Sequence, residues 1–434
     1  MKHDAPKPRV VVVGGGFAGL YAARELARGG IPVTLIDRRN FHLFQPLLYQ
    51  VATGGLSPGD ITAPLRSVLR RYACARVLQS EVVDISTRKR EVVTRDGRFG
   101  YDVLVLAPGV RHFYFGHDDW ECDAPGLKTV EDALEMRRRI FHAFEAAEKE
   151  NDEGARRRWM RFVVIGGGPT GVELAGALGE LAHSTLAREF RVIDPAQSDI
   201  VLLEGGDRIL PAFPERLSRR AERSLERLGV TVHTGAMATG VAPGAIAYTK
   251  DGAEHRLEAR TILWAAGIVA SPLGGIVART TRAELDGTGR VRVGPDLAIA
   301  GHPKVYVIGD LAAATGPDGR ALPGVAPVAM QQGRYVGRHI RALARARGGE
   351  TAPFRYRNKG NLAVIGRNAA VADFGRVQVG GRAAWLVWVA VHIWYLIEFD
   401  NKVLVMVQWA FNYFTRKRGA RLITNEPADE KEPS

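Results

Sequence analysis

Cysteine is almost absent: two in 434 residues, Cys74 and Cys122, neither in a CxxC pair. This excludes a disulfide framework, points to a reducing compartment and leaves too few thiolates for an iron–sulfur cluster. A secretory leader is not expected either. The start, MKHDAPKPRVVVVGGG, runs from a short apolar stretch straight into glycine, without the apolar core of a secretory signal. Acidic residues are in deficit, 47 against 60 Lys and Arg, for a net charge of +13. That balance favours anionic partners such as phosphorylated cofactors or acidic phospholipid. No helix-turn-helix or RNA-binding signature accompanies it, so nucleic acid is not an expected partner. The arginine runs at 137–139 and 156–158 read as solvated helix faces. At 46% hydrophobic and 25% charged, the bulk of the chain suits two or three ordinary globular domains.

Glycine, by contrast, is plentiful and clustered. RVVVVGGGFAGLYAARELARGG (9–30) sets a four-valine run before Gly14, Gly16 and Gly19, and a helical pattern follows. RFVVIGGGPTGVELAGALGEL (161–181) repeats the design with Gly166, Gly168 and Gly171. A continuous apolar run of this length reads as a buried parallel strand. In such a turn the first glycine makes the tight bend and the second lets a pyrophosphate approach the backbone. The third lets the helix close on the strand, so that its N-terminal N–H groups face the anion. Each copy is followed by a strand ending in an acid, Asp37 in VTLID and Glu204 in DIVLLE. An acid there suits adenosine ribose hydroxyls, and Glu204 disfavours a 2′-phosphate, hence NADH over NADPH.

Further strands echo the pair. DVLVLAPG (102–109) and RTILWAAG (260–267) end in Ala-x-Gly at Gly109 and Gly267, and KVYVIGDLAAA (304–314) places Asp310 after an apolar strand. This order predicts two Rossmann-like dinucleotide-binding domains, the second nested in the first. The expected bounds are 1–120 with 275–345 for the first and 121–274 for the second. A C-terminal membrane-anchoring region at 346–423 and a disordered tail at 424–434 would follow. Two dinucleotide sites in one chain suggest electron transfer between two cofactors.

On these motifs the chain resembles the two-dinucleotide-binding-domain flavoproteins. Within them it looks like a type II NADH dehydrogenase, a single-subunit NADH:quinone oxidoreductase of bacterial membranes. The most specific segments are FHLFQPLLYQVATGGLSPGDI (41–61), GGGPTGVELAG (166–176), VYVIGDLAA (305–313), GVAPVAMQQGRYVG (324–337) and an aromatic tail. The resemblance implies an α/β fold, one non-covalent FAD, NADH as substrate and a membrane quinone as acceptor, without proton pumping. It places Gly14, Gly15, Gly16, Phe17, Ala18, Gly19, Asp37 and Arg38 at the FAD pyrophosphate and ribose, with Gly109 nearby. His42 and Gln45 would lie near the flavin, the Val82 backbone at the adenine and Asp310 at the ribityl chain. Gly166, Gly168, Gly171, Glu204 and Gly267 would hold NADH. Glu173 would position nicotinamide or handle protons, or it is a first-turn acid favoured by the helix dipole. Gln331 and Gln332 would edge the quinone. Here the chain departs from the family's Ala-Gln-x-Ala-x-Gln: it reads APVAMQ, with Pro327 for the first Gln. The cysteines count against two relatives, disulfide reductases and sulfide:quinone oxidoreductases. A soluble NAD(P)H-dependent reductase with a protein acceptor and a flavin-binding regulatory protein stay open.

A last absence concerns the tail. WLVWVAVHIWYLIEFDNKVLVMVQWAFNYF (385–414) contains no uninterrupted apolar run of about twenty residues, the length a spanning helix needs. Glu398, Asp400 and Lys402 divide it, and burying them mid-membrane is costly. Two shorter helices are expected. Trp385, Trp388, His392 and Tyr395 recur on one helical face, and Trp and Tyr favour the membrane–water interface. The cations of TRKRGAR (415–421) suit anionic lipid head groups. The tail therefore reads as monotopic, peripheral on the cytoplasmic face of the inner membrane, with a homodimer interface or a core cap as the alternative.

Overall fold

The computed structural model describes residues 7–345, 352–396, 399–415 and 418–423. The expected disordered tail, 424–434, lies outside them, as do Glu398, Arg416 and Lys417. The fold is mixed α/β. Its contacts divide the chain into two compact units, one of residues 1–43, 62–111 and 268–359, the other of 44–61, 112–267 and 360–434.

The first unit is built on a six-stranded sheet. Its order is Ala298–Ile299, His302–Val307, Val103–Leu106, Val10–Val13, Val33–Asp37 and Ala75–Gln79, parallel except for the first pair. Val10–Val13 is buried at every position, as a central strand covered on both faces requires. The helices Phe17–Arg28 and Ala326–Arg345 pack against each other closely, for a Cβ on Gly333 would lie 2.1 Å from the Ala18 carbonyl oxygen. Pro327 falls in the first turn of Ala326–Arg345, where a missing N–H leaves no helical bond unmade.

The second unit repeats the plan with a four-stranded parallel sheet, ordered Val230–His233, Asp199–Leu203, Arg161–Ile165 and Thr261–Trp264. An antiparallel sheet of Asn361–Gly366, Ala369–Asp373 and Gln378–Gly381 packs on the helix Pro169–Glu180. Two C-terminal helices follow, Arg382–Tyr395 and Phe399–Thr415, as the interrupted apolar pattern requires. Among the described residues no helix is long and apolar enough to cross a membrane.

Glycine sets how near the helices come. In the second nucleotide turn a Cβ on Gly171 would lie 1.8 Å from the Gly166 carbonyl oxygen, whereas one on Gly168 would meet nothing within 4 Å. Gly171→Ala should therefore destabilise the second unit by on the order of 4 kcal/mol, while Gly168→Ala leaves stability within about 1 kcal/mol. Denaturant unfolding of the two variants checks this contrast; equal losses would contradict it.

Candidate functional site

In the first unit the glycine turn has the expected geometry. Gly14 takes φ +99°, and a Cβ there would lie 2.2 Å from the Ala107 carbonyl oxygen. Gly19 approaches the Gly14 carbonyl oxygen so closely that a Cβ would stand 1.9 Å away, while Gly16 faces open space. Asp37 ends the strand Val33–Asp37 and grips the turn: the Gly15 N–H donates to Oδ2 at 2.5 Å and the Arg39 N–H to Oδ1 at 2.7 Å. Burial raises the Asp37 carboxyl above its ordinary value, and those two N–H groups oppose the shift. Arg38 is exposed beside it. Val82 opens the strand Val82–Ser86, opposite Thr94, and Gly109 follows Val103–Leu106 in a left-handed turn at φ +76°.

His42 is buried with its Nδ1 2.9 Å from the Gly15 carbonyl oxygen and its ring edge-on to Phe17, 4.9 Å between centroids. A carbonyl only accepts, so Nδ1 carries the proton and Nε2 presents a lone pair. That Nε2 is buried without a hydrogen-bond partner, and burial pushes the imidazole pKa down to about 4. An unpaired buried acceptor beside an open glycine turn fits a cofactor edge better than a finished core. Asp310 sits in the short turn Gly309–Leu311, where a Cβ on Gly309 would come 3.0 Å from that of Ala18, next to the glycine turn. Gln332, 1% exposed, fixes that turn by accepting the Gly309 N–H on Oε1 at 2.6 Å. Gln331 is half-buried, and its amide bonds both the carbonyl and the N–H of Arg357, each at 3.0 Å.

The second unit holds a matching turn. Gly166 takes φ +108°, and Glu204 accepts the Gly167 N–H at 2.6 Å and the Gly206 N–H at 2.7 Å. Gly267, φ +64°, would bring a Cβ within 2.4 Å of the Phe113 carbonyl oxygen. Gln45 donates its Nε2 to the Lys128 carbonyl at 2.9 Å.

The helix Pro169–Glu180 leads from this turn to a cavity of about 450 Å³ lined only by residues of the second unit. Glu173, Ala177 and Glu180, at i, i+4 and i+7, form one wall. No acid stands in the first turn of this helix, so the dipole reading of Glu173 fails; it lies a turn further on, at the cavity. Burial raises its pKa to about 8, opposed only by a long contact from the Val364 N–H at 3.5 Å. The side chain keeps some accessible surface, and that surface is cavity wall, so its desolvation stands.

Several wall residues were not singled out by sequence reasoning. Tyr49 is buried, accepts a bond from Gln50 Nε2 at 2.9 Å, and is held well above its usual range by burial and by Glu173. Gln50 Oε1 in turn accepts from Trp409 Nε1 at 2.8 Å. Arg418 donates to the carbonyls of Thr53 (2.9 Å) and Ala177 (3.2 Å) and reaches Glu180 at 3.4 Å. The only available signal was membership of Tyr49 and Gln50 in the 41–61 segment.

Two expectations for the tail need correction. The face of Trp385, Trp388, His392 and Tyr395 turns inward: Trp388 is 2% exposed and stacks on His392 and Trp409 at 4.1 and 5.3 Å. The outward side carries Leu386, Trp394 at 77% exposure, Leu404, Val407 and Phe411. Arg418 is buried and Arg421 pairs with Glu189, so these two cations are committed to the protein and not to lipid.

Ionising Glu173 costs stability. The folded chain holds its proton up to about pH 8 against an ordinary value of 4.5, so stability falls as pH rises through that window. Glu173→Gln should match the wild type below the window and exceed it above by on the order of 2 kcal/mol, cavity water softening the full linkage. Melting curves across pH measure this; a constant offset would refute it.

Residues 8–333 match the Pyridine nucleotide-disulphide oxidoreductase family and residues 358–418 the NDH2 C-terminal domain. Type II NADH:quinone oxidoreductase NdhA of Mycobacterium tuberculosis is 43% identical over 96% of this chain and 90% of its own length. Type II NADH:quinone oxidoreductase Ndh of the same organism is also 43% identical, over 97% of this chain and 91% of its own. The solved NDH2 of Plasmodium falciparum shares the fold, with a TM-score of 0.87 at 19% identity over 96% of this chain and 99% of that one. The chain belongs to the type II NADH:quinone oxidoreductase family.

Proposed function

We propose that this chain oxidises NADH through a non-covalently bound FAD and reduces a membrane quinone, without moving protons across the membrane. The cavity carries this reading: it joins a carboxyl held protonated near neutral pH to helices with an apolar outer face. Bound FAD supplies hydride acceptance and electron release. The chain supplies placement and protons.

The turn Gly14–Gly19 with Asp37, Arg38, His42, Val82, Gly109 and Asp310 is assigned to FAD. The open face at Gly16 and the unpaired Nε2 of His42 support that assignment. The turn Gly166–Gly171, with Glu204 and Gly267, is assigned to NADH. A carboxylate has about four lone-pair sites, and Glu204 uses two on backbone N–H groups, so it keeps capacity for ribose hydroxyls. Gln45 is assigned to the flavin side of its segment.

Quinone reduction consumes two protons. Glu173 stays protonated up to about pH 8 and lines the cavity, and Tyr49 beside it stays neutral. These are the proton donors we assign to the quinone. Gln332 shapes the Asp310 turn, and Gln331 reaches a quinone only by releasing Arg357. The exposed apolar side of the C-terminal helices lies in one leaflet at the cytoplasmic face of the membrane. Anionic lipid meets that surface, and a second copy of the chain is the alternative occupant of the same apolar face.

Anaerobic stopped-flow at the flavin absorbance band tests the reading. NADH should bleach the protein, and a short-chain quinone should restore the colour. Glu173→Gln should slow the quinone half about 100-fold and change the NADH half by less than about threefold. The wild-type quinone half should fall above about pH 8, where Glu173 ionises, and the variant should lose that limb. Bleaching without reoxidation by quinone would sink the acceptor assignment.

A further inference from the structure

The second unit has another cleft, of about 350 Å³, between the helix Glu215–Glu226 and the strand Gln378–Gly381. Arg216, Arg220 and Arg223 line it, at i, i+4 and i+7 on one helix face. All three are exposed, and none has an acidic partner within ion-pair distance among the described residues. Their neighbour Arg219 shows the contrast, being paired with Glu215. Like charges at helical spacing repel by about 0.2–0.5 kcal/mol per pair, so the stripe is a local cost without an anion.

The opposite wall is shaped to the arginines. A Cβ on Gly380 would lie 2.6 Å from Arg220 Cδ and Nε, and one on Gly381 2.6 Å from its Nη2. Glycine at both positions lets the guanidinium lie along the strand backbone. Gly381 also takes φ +81°, which turns the chain directly into Arg382 and the helix Arg382–Tyr395. Leu386, one turn on from Arg382, is 61% exposed. On the other side, the turn before Gln378 exposes Phe374 and Val377 around Arg376. The strand that forms one wall of the cleft is thus flanked in sequence on both sides by exposed apolar residues.

We propose that this cleft binds the phosphate head group of an anionic phospholipid whose chains meet the apolar residues on either side. The proposal rests on the membrane attachment argued above and adds a specific recognition site to it. The three arginines are opposite in sign to a phosphate diester, and their guanidinium forks suit its oxygens. The flanking apolar residues select a lipid over a free anion.

Vesicle co-sedimentation tests it, with phosphatidylcholine alone and with an equal mixture of phosphatidylcholine and phosphatidylglycerol. The full chain should prefer the mixed vesicles. R216Q/R220Q/R223Q should lose that preference by about 100-fold, about fivefold per arginine, while still binding phosphatidylcholine. Turnover with a short-chain quinone should stay unchanged, which shows the variant folded. A preference retained by the variant overturns the proposal and leaves membrane attachment standing. Wild-type protein that sediments with neither vesicle sinks both. If inorganic phosphate raises the wild-type melting temperature, the triple variant loses that response, and its vesicle preference is still wild-type, the cleft is a free-phosphate site and the lipid assignment falls.

Discussion

The second unit depends on how closely the helix Pro169–Glu180 is held from two sides. Gly171 allows it against its own turn, where a Cβ would stand 1.8 Å from the Gly166 oxygen. Gly176 allows it against the strand Asn361–Gly366, where a Cβ would stand 1.6 Å from the Ile365 oxygen. With two missing side chains clamping it, the helix has little freedom to slide or roll. Its N-terminus is fixed at a nucleotide turn and its 173–177–180 face at a cavity. One rigid element therefore links the two, and the spacing of glycines within twelve residues sets that link.

The two glutamates on that face show how partners decide charge. Glu180 has Arg418 at 3.4 Å and so faces a buried cation. Glu173, seven residues earlier, has no ion-paired cation among the described residues, only a long N–H contact, and burial raises its pKa to about 8. The same residue type on one helix face thus meets two environments, one paired with a C-terminal arginine and the other a buried carboxyl at the cavity wall. Arg418 in turn donates to the carbonyls of Thr53 and Ala177, and an uncompensated guanidinium at that depth would be costly.

Much of this was legible in the sequence. The nucleotide turns were, because a strand, three glycines at fixed spacing and a distant acid leave few other solutions. Gln331 and Gln332 were not separable: neighbours on a helix point about 100° apart, and only packing shows that one is buried against Gly309 and the other faces outward to Arg357. The direction of the tail's aromatic face was also hidden. Arg382–Tyr395 is apolar nearly all round, so its period reveals a helix and not which side meets protein. Arg418 read as a lipid-binding cation because its partners lie 365 and 241 positions away. The raised pKa of Glu173 has the same origin, since the strand that covers it comes 191 residues later.

The all-round apolar tail then has a physical reason. A helix with one apolar stripe can serve a core or a membrane, but not both. Here Trp388 and Trp409 close the cavity from outside while Trp394, Val407 and Phe411 face away from the protein. A quinone is held in lipid and NADH in water, so an enzyme joining them needs a wall that is apolar on both faces. If the outer face rests in lipid as proposed, the inner face is the first protein surface that a quinone leaving the bilayer meets. The charges dividing the two helices fit the same demand, because Lys402 bonds the Trp394 carbonyl and ends the apolar stretch before it is long enough to span.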